Sequence, residues 1–184
     1  MLGPGELDEA VVGQRGLLPG IEACIKARCL VSSLTLIYSA IDAVSALTRP
    51  IKAADTDKAI FEAWVKAYMA AFLTATNCSA EDVYAARCGL VHTTTRGSRL
   101  SRSKAGVRTF VYFWRHGPRP DSAAAPAGDA LQVCVEDLRD AFVSGLARFG
   151  QARVLSTNLA ARVAHHEPDL LCYRPWSSVT VRVA

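Results

Sequence analysis

The longest apolar stretch of the sequence, residues 29–48, constrains the fold more than any other feature. Only one of its twenty residues, Asp42, is charged. Its length would suit a membrane span, but several Ser and Thr residues interrupt it and a carboxylate is costly in lipid. Apolar residues recur every three or four positions, the spacing of one buried helix face: Leu30, Leu34, Ile37, Ile41 and Val44. The sequence therefore predicts a buried helix and no membrane partner.

Four more segments show helical periodicity or helix-start signals, so the chain is predicted to be mostly α-helical. The first helix should begin near Leu18, with Pro19 in its first turn, and continue to Leu47, although a break near Arg28 is the alternative. Ser79 is suited to cap the third helix because Glu81 and Asp82 follow it. The later helices are predicted from Asp55 or Thr56 to Thr74, Ala80 to Val91, Glu136 to Phe149 and Val154 to His165.

Two short segments have strand character and follow the third helix. Val107–Trp114 is rich in β-branched and aromatic residues, and Leu131–Val135 follows a connection rich in Pro and Ala. We interpret them as a β-hairpin insertion covering about residues 107–135. The predicted organisation is a flexible N-terminus (1–18), a helical domain (19–165) and a C-terminal tail (166–184).

Composition and the N-terminal sequence indicate an intracellular protein. A chain of 184 residues that is 51% hydrophobic can bury the core of one domain. The N-terminus has no basic-then-apolar signal, so a cytoplasmic location is expected. The six cysteines contain no CxxC pair and are expected to stay reduced, mostly as small buried residues.

The positive charges are concentrated in one region. No Asp or Glu occurs between Val83 and Pro120, and these 38 residues carry eight Lys or Arg, whereas the net charge of the whole chain is +4. Such a stretch attracts polyanions, and aromatic residues within it can stack on unpaired bases. The alternative is a solvated loop beside a hairpin whose aromatic side chains pack inward. We predict RNA as a partner, contacted by Arg96, Arg99, Arg102, Lys104 and Arg108.

Arg87 and His92 are the residues in this region best suited to catalysis. Histidine can accept and donate a proton near neutral pH, and an Arg can stabilise charge that develops on a phosphoryl group. Five residues of regular helix separate two side chains by roughly 140° around the axis. The two therefore converge only if the helix ends or unwinds near His92, or if they meet across a two-fold dimer interface.

The segment Tyr84–His92, with its Arg-x4-His pattern, resembles the signature of the HEPN superfamily, and Leu36–Asp42 resembles the first long helix of several HEPN groups. The resemblance implies an antiparallel helical bundle that dimerises so that two Arg–His motifs form one cleft. It further implies a metal-independent ribonuclease without a cofactor, of toxin or phage-defence type, with an antitoxin protein as a further partner. Asp42 and Cys88 would be polar residues of the cleft, although family members often carry Asn, Asp or His at the position of Cys88.

Two functions follow from this resemblance. In the first, His92 is the general acid/base for attack by the ribose 2′-hydroxyl and Arg87 stabilises the scissile phosphate. In the second, the same groove belongs to a non-catalytic module that binds RNA, a nucleotide or a protein and dimerises. The sequence has no phosphate-binding glycine loop, no HExxH and no zinc-spaced cysteine pair, which argues against nucleotide-driven or metal-dependent chemistry. We therefore expect no metal site.

Overall fold

The computed structural model describes residues 8–53, 55–93, 106–118 and 130–170, and for Asp8, His92 and Thr93 it describes the backbone alone. A π-helical turn (Asp8–Val12) comes first and a 3-10 turn (Glu167–Asp169) comes last. Between them, the described residues form seven α-helices and two β-strands: α1 (Leu17–Lys26), α2 (Leu30–Ala46), α3 (Lys58–Tyr68), α4 (Ala70–Thr76), α5 (Ala80–Thr93), β1 (Thr109–Phe113), β2 (Ala130–Cys134), α6 (Val135–Leu155) and α7 (Thr157–His166).

Helix α2 is the centre of the fold, as its apolar sequence predicts. It packs against α1, α3, α5 and α6. Leu34, Ile37, Ile41 and Val44 of the predicted face are buried, whereas Leu30 at the start of the helix is exposed. The mostly helical fold is thus confirmed, and no helix in the described part of the chain is long and apolar enough to cross a membrane.

The predicted first helix is two helices, divided at the alternative position near Arg28. Arg28 adopts a left-handed backbone conformation, with φ of 57°. This conformation ends α1 and turns the backbone, so that α2 begins two residues later. Its guanidinium lies 5.6 Å from the centre of the Trp114 ring, in a cation–π contact. A single helix from Leu18 to Leu47 was therefore wrong, and the break separates two helices that pack side by side.

The predicted second helix begins later than expected and is also divided. Asp57, rather than Asp55 or Thr56, caps α3, and its Oδ1 accepts a hydrogen bond from the backbone N–H of Ile60 at 2.9 Å. Met69 separates α3 from α4. The aromatic face of α3 is core, because Phe61 and Trp64 are each only 1% exposed.

The two predicted strands exist, but they do not form a hairpin. β1 and β2 pair in parallel, with Thr109 opposite Ala130 and Phe113 opposite Cys134. A parallel pair needs a crossover of about a dozen residues, and residues 114–129 are long enough to provide it. α6 begins directly after β2 and packs against the core helices, so the second strand continues into the bundle.

Part of the predicted flexible N-terminus is packed. The π-helical turn at Asp8–Val12 lies against α1, and Val11 is completely buried in the main core. Of the predicted terminal segment 1–18, residues 8–18 are therefore held against the bundle by at least one core side chain.

A buried carboxylate joins the start of α5 to the residue before β1. Asp82 is completely buried and accepts hydrogen bonds from the backbone N–H of Ser79 (2.8 Å) and of Arg108 (2.7 Å). The Arg108 guanidinium adds an ion pair at 2.9 Å. Burial acts to raise the pKa of Asp82, but these hydrogen bonds lower it more, so its pKa lies below the ordinary value of 3.8.

We predict that Asp82→Asn lowers the free energy of unfolding at pH 7 by about 3 kcal/mol, because the neutral Asn amide removes the charge that pairs with Arg108 and offers one acceptor oxygen in place of two. A depressed pKa stabilises the fold above the unfolded-state pKa, so this contribution is complete above about pH 4 and disappears as the pH falls through the folded-state pKa. The difference between wild type and variant should therefore shrink as the pH is lowered below about 4 in chemical unfolding experiments.

Asp137→Asn is the matched control. Asp137 also lies in the first turn of a helix, α6, and pairs with an arginine, Arg115, but its side chain is 56% exposed. Exposed pairs contribute about 1 kcal/mol or less. Equal destabilisation by the two variants would contradict the role assigned to Asp82.

Candidate functional site

Arg87 and Asp42, both predicted from the sequence, meet in one ion pair. The Nε of Arg87 on α5 donates a hydrogen bond to Oδ2 of Asp42 on α2 at 2.6 Å. The side chains are 19% and 27% exposed. The pair is thus partly withdrawn from water, where electrostatic interactions are stronger than on the open surface.

The ion pair lies in a cleft with a volume of about 360 Å³. This volume falls within the usual range for small-ligand sites. α2 forms one wall, α5 a second, and the start of α3 a third. The residues that line the cleft are Asp42, Ala43, Ala46, Thr56, Asp57, Phe61, Tyr84 and Arg87.

Tyr84 and Cys88 flank Arg87 on α5. Tyr84 is half-buried and packs edge-on against Phe61, with 5.4 Å between ring centres. Burial raises the pKa of Tyr84, and the neighbouring Cys88 raises it further, so the phenol is neutral at physiological pH. The Sγ of Cys88 lies 4.0 Å from Nη1 of Arg87, a long contact that is within reach of a weak sulfur hydrogen bond.

Arg87 keeps its positive charge in this environment. Burial acts to lower the pKa of Arg87, but the hydrogen bond and the negative charge of Asp42 raise it more, so its pKa lies above the ordinary value. A guanidinium carries five N–H donors in a planar fork. The site can therefore present a fixed cation to an anionic ligand.

His92 lies on the same helix as Arg87, but the structure describes only its backbone. α5 includes both residues, and regular helix places their Cα atoms about 7.5 Å apart along the axis and roughly 140° apart around it. The predicted RNA-binding residues Arg96, Arg99, Arg102 and Lys104 lie outside the described residues.

Arg108 has a structural role. Its guanidinium pairs with the buried Asp82, and its Nη2 also donates to the backbone carbonyl of Asn77 at 2.5 Å. These contacts link the start of β1 to the α4–α5 connection. Although 26% of the side chain is exposed, an RNA phosphate would have to share the guanidinium donors with Asp82 and the Asn77 carbonyl.

Sequence reasoning missed the other walls of the cleft. Tyr84 could have been found, because it precedes Arg87 by three residues and so shares its helix face. Thr56 is predicted only as one of two possible caps of the second helix, and Asp57 has no predicted role. The sequence carries no signal that brings the start of α3 next to α5, because that proximity comes from tertiary packing.

The described residues do not offer a metal site. Nowhere in them do three or more His, Cys, Asp or Glu side chains come close enough to hold a metal ion. In the cleft, the carboxylate of Asp42 pairs with the guanidinium of Arg87.

Comparisons with known proteins do not identify the chain: no protein-family model, curated protein or solved structure matches it.

The partial exposure of the Arg87–Asp42 pair predicts the size of its coupling energy. In a double-mutant cycle with Asp42→Asn and Arg87→Gln, we expect a coupling energy of about 1–2 kcal/mol, between the values of surface and buried pairs. Chemical unfolding at low and high salt measures it. The exposed pair of Arg115 and Asp137, at 45% and 56%, serves as the comparison and should couple more weakly. A coupling energy no larger than that of this control would contradict the assignment.

Proposed function

We propose that this chain is a HEPN-like helical bundle that cleaves RNA without a metal ion, as a toxin or phage-defence effector. The observation that carries the proposal is the ion pair of Arg87 and Asp42 inside a cleft, on the helix that also carries His92. The resemblance of Tyr84–His92 to the HEPN signature and the acid-free basic stretch support it.

Arg87 would bind the scissile phosphate. A guanidinium can bond a carboxylate and a phosphate at the same time because its donors point in several directions. Asp42 would hold the guanidinium in place before RNA binds, which reduces the cost of orienting it during the reaction. The residue would then stabilise the additional negative charge that develops on the phosphoryl oxygens.

His92 would move the proton. The 2′-oxygen of the ribose attacks phosphorus, its proton passes to a general base, and the bond from phosphorus to the 5′-oxygen breaks. The leaving 5′-oxygen takes up a proton from a general acid. The products are a 2′,3′-cyclic phosphate and a 5′-hydroxyl. A homodimer would bring two Arg–His pairs into one cleft and supply both proton-transfer groups, and an antitoxin protein would restrain the activity.

One observation favours the second candidate, a non-catalytic module that binds RNA, a nucleotide or a protein. The nearest anion to the Arg87 guanidinium among the contacts given above is Asp42, at hydrogen-bond distance. A cation whose charge is already compensated can serve binding and packing without any reaction. Cys88 also favours this candidate, because HEPN members often carry Asn, Asp or His directly after the Arg.

Cleavage of mixed single-stranded RNA in excess EDTA tests the proposal. Wild type should cut RNA, whereas Arg87→Ala and His92→Ala should each reduce the rate by about a hundredfold or more, because each removes a transition-state interaction. The RNA termini identify the chemistry, since only 2′-hydroxyl attack leaves a cyclic phosphate. Arg87→Lys keeps the positive charge but lacks the planar fork of N–H donors, so it should retain only part of the wild-type activity.

Arg148→Ala and His165→Ala are matched controls, because both residues are exposed and lie on α6 and α7, away from the cleft. Circular dichroism checks that every variant is folded. If wild type binds RNA and leaves it intact, the non-catalytic module replaces the enzyme. If the Arg87 and His92 variants cut as fast as wild type, the assigned residues are wrong.

A further inference from the structure

The cleft beside Arg87 has a second charged wall. Asp57 stands at the start of α3 and lines the same cavity as Arg87, Asp42 and Tyr84. A phosphate would bind beside Arg87 and would be repelled by the carboxylate of Asp57. The cleft therefore offers a cation to one part of a ligand and an anion to another part.

The Asp57 carboxylate can accept further hydrogen bonds. Its Oδ1 accepts the capping hydrogen bond from Ile60, and its Oδ2 accepts no hydrogen bond from the residues that the structure describes. An ionised carboxylate has about four acceptor positions. Because the residue is exposed, the acceptor edge is open to a ligand in the cleft.

Tyr84 and Phe61 line the same cavity as these two charges. Lys58 Nζ lies over one face of the Tyr84 ring, 6.0 Å from its centre, so a base would stack on the opposite face. Phe61 is 1% exposed and supports the half-buried Tyr84 edge-on. A supported ring keeps its orientation, and a flat base gains roughly 1–3 kcal/mol by stacking on such a surface. The cavity of about 360 Å³ has room for one base next to the phosphate site.

We propose that this cleft selects guanine, with the guanine of an RNA strand stacked on Tyr84 and its Watson–Crick edge bonded to Asp57. Guanine carries two adjacent donors, N1–H and the N2 amino group, which match the two oxygens of a carboxylate. Adenine and cytosine place an acceptor beside their amino group, and uracil has a single N–H between two carbonyls. Only guanine therefore makes a bidentate pair with an ionised carboxylate.

This inference rests on the proposed function, since it names the base next to the phosphate that Arg87 would hold. It is tested with RNAs of one sequence that carry guanosine, inosine or adenosine at a single position. Inosine lacks only the N2 amino group. Wild type should cut next to guanosine at least tenfold faster than next to inosine or adenosine, the discrimination expected of one bidentate pair.

Asp57→Asn is the informative variant because Asn caps helices as well as Asp, so α3 should stay folded. The Asn amide replaces one acceptor with a donor and should reduce the preference for guanosine over inosine at least fivefold. Asp55→Asn is the matched control. Asp55 is also exposed and only two residues away, but it does not line the Arg87 cleft, so its preference should equal that of wild type.

Binding of guanosine 5′-monophosphate and adenosine 5′-monophosphate, measured by calorimetry, separates this inference from the enzyme proposal. A guanosine preference that Asp57→Asn removes supports the inference, even if RNA is never cut and the ribonuclease proposal fails. Cleavage with equal rates for the three RNAs overturns the inference and leaves the ribonuclease standing. Equal binding of both nucleotides, or a preference that survives Asp57→Asn, also overturns it.

Discussion

The ion pair of Asp42 and Arg87 connects the central helix of this protein to the helix that carries the candidate site. Asp42 is the only charged residue of α2, and α2 is covered by α1, α3, α5 and α6. A carboxylate in such a setting is destabilising unless a cation or several donors accompany it. Arg87 meets this requirement at 2.6 Å, so α5 has to present that residue at the level of Asp42. The fold and the candidate site thus depend on the same contact.

Polar bonds of a similar kind hold the small sheet against the helices. The buried Asp82 attaches the start of β1 to α5 through Arg108. Further along the strand, the hydroxyl groups of Tyr38 on α2 and Tyr112 on β1 share a hydrogen bond of 2.7 Å. A two-stranded sheet has little stability of its own. These contacts, together with the buried Phe110, explain why a short parallel pair persists in a helical protein.

The sequence could predict what depends on local spacing and little else. Helix α2, the start of α5 at Ser79 and the strand character of 109–113 follow from periodicity, capping and composition. The relative direction of the two strands does not follow from the sequence, because side chains alternate between the two faces in the same way in parallel and antiparallel pairs. The break at Arg28 involves neither Gly nor Pro, so no turn residue marks it. Arg87 is predicted from its chemistry and Asp42 through a family resemblance, whereas Asp57 joins them only through packing.

Charge balance in the cleft sets a requirement that the proposed RNA binding has to meet. Asp42 already carries one negative charge against the single positive charge of Arg87. A bound phosphate adds another, and Asp57 lies nearby, so Arg87 alone cannot neutralise the cleft once RNA is present. Binding a polyanion therefore requires further cations, and Arg108 is already paired with Asp82. Arg115, in the same acid-free region 83–120, is paired with Asp137 and Asp140. The proposed function therefore needs the other basic residues of the region to compensate the phosphates along the strand: Arg96, Arg99, Arg102, Lys104 and Arg119.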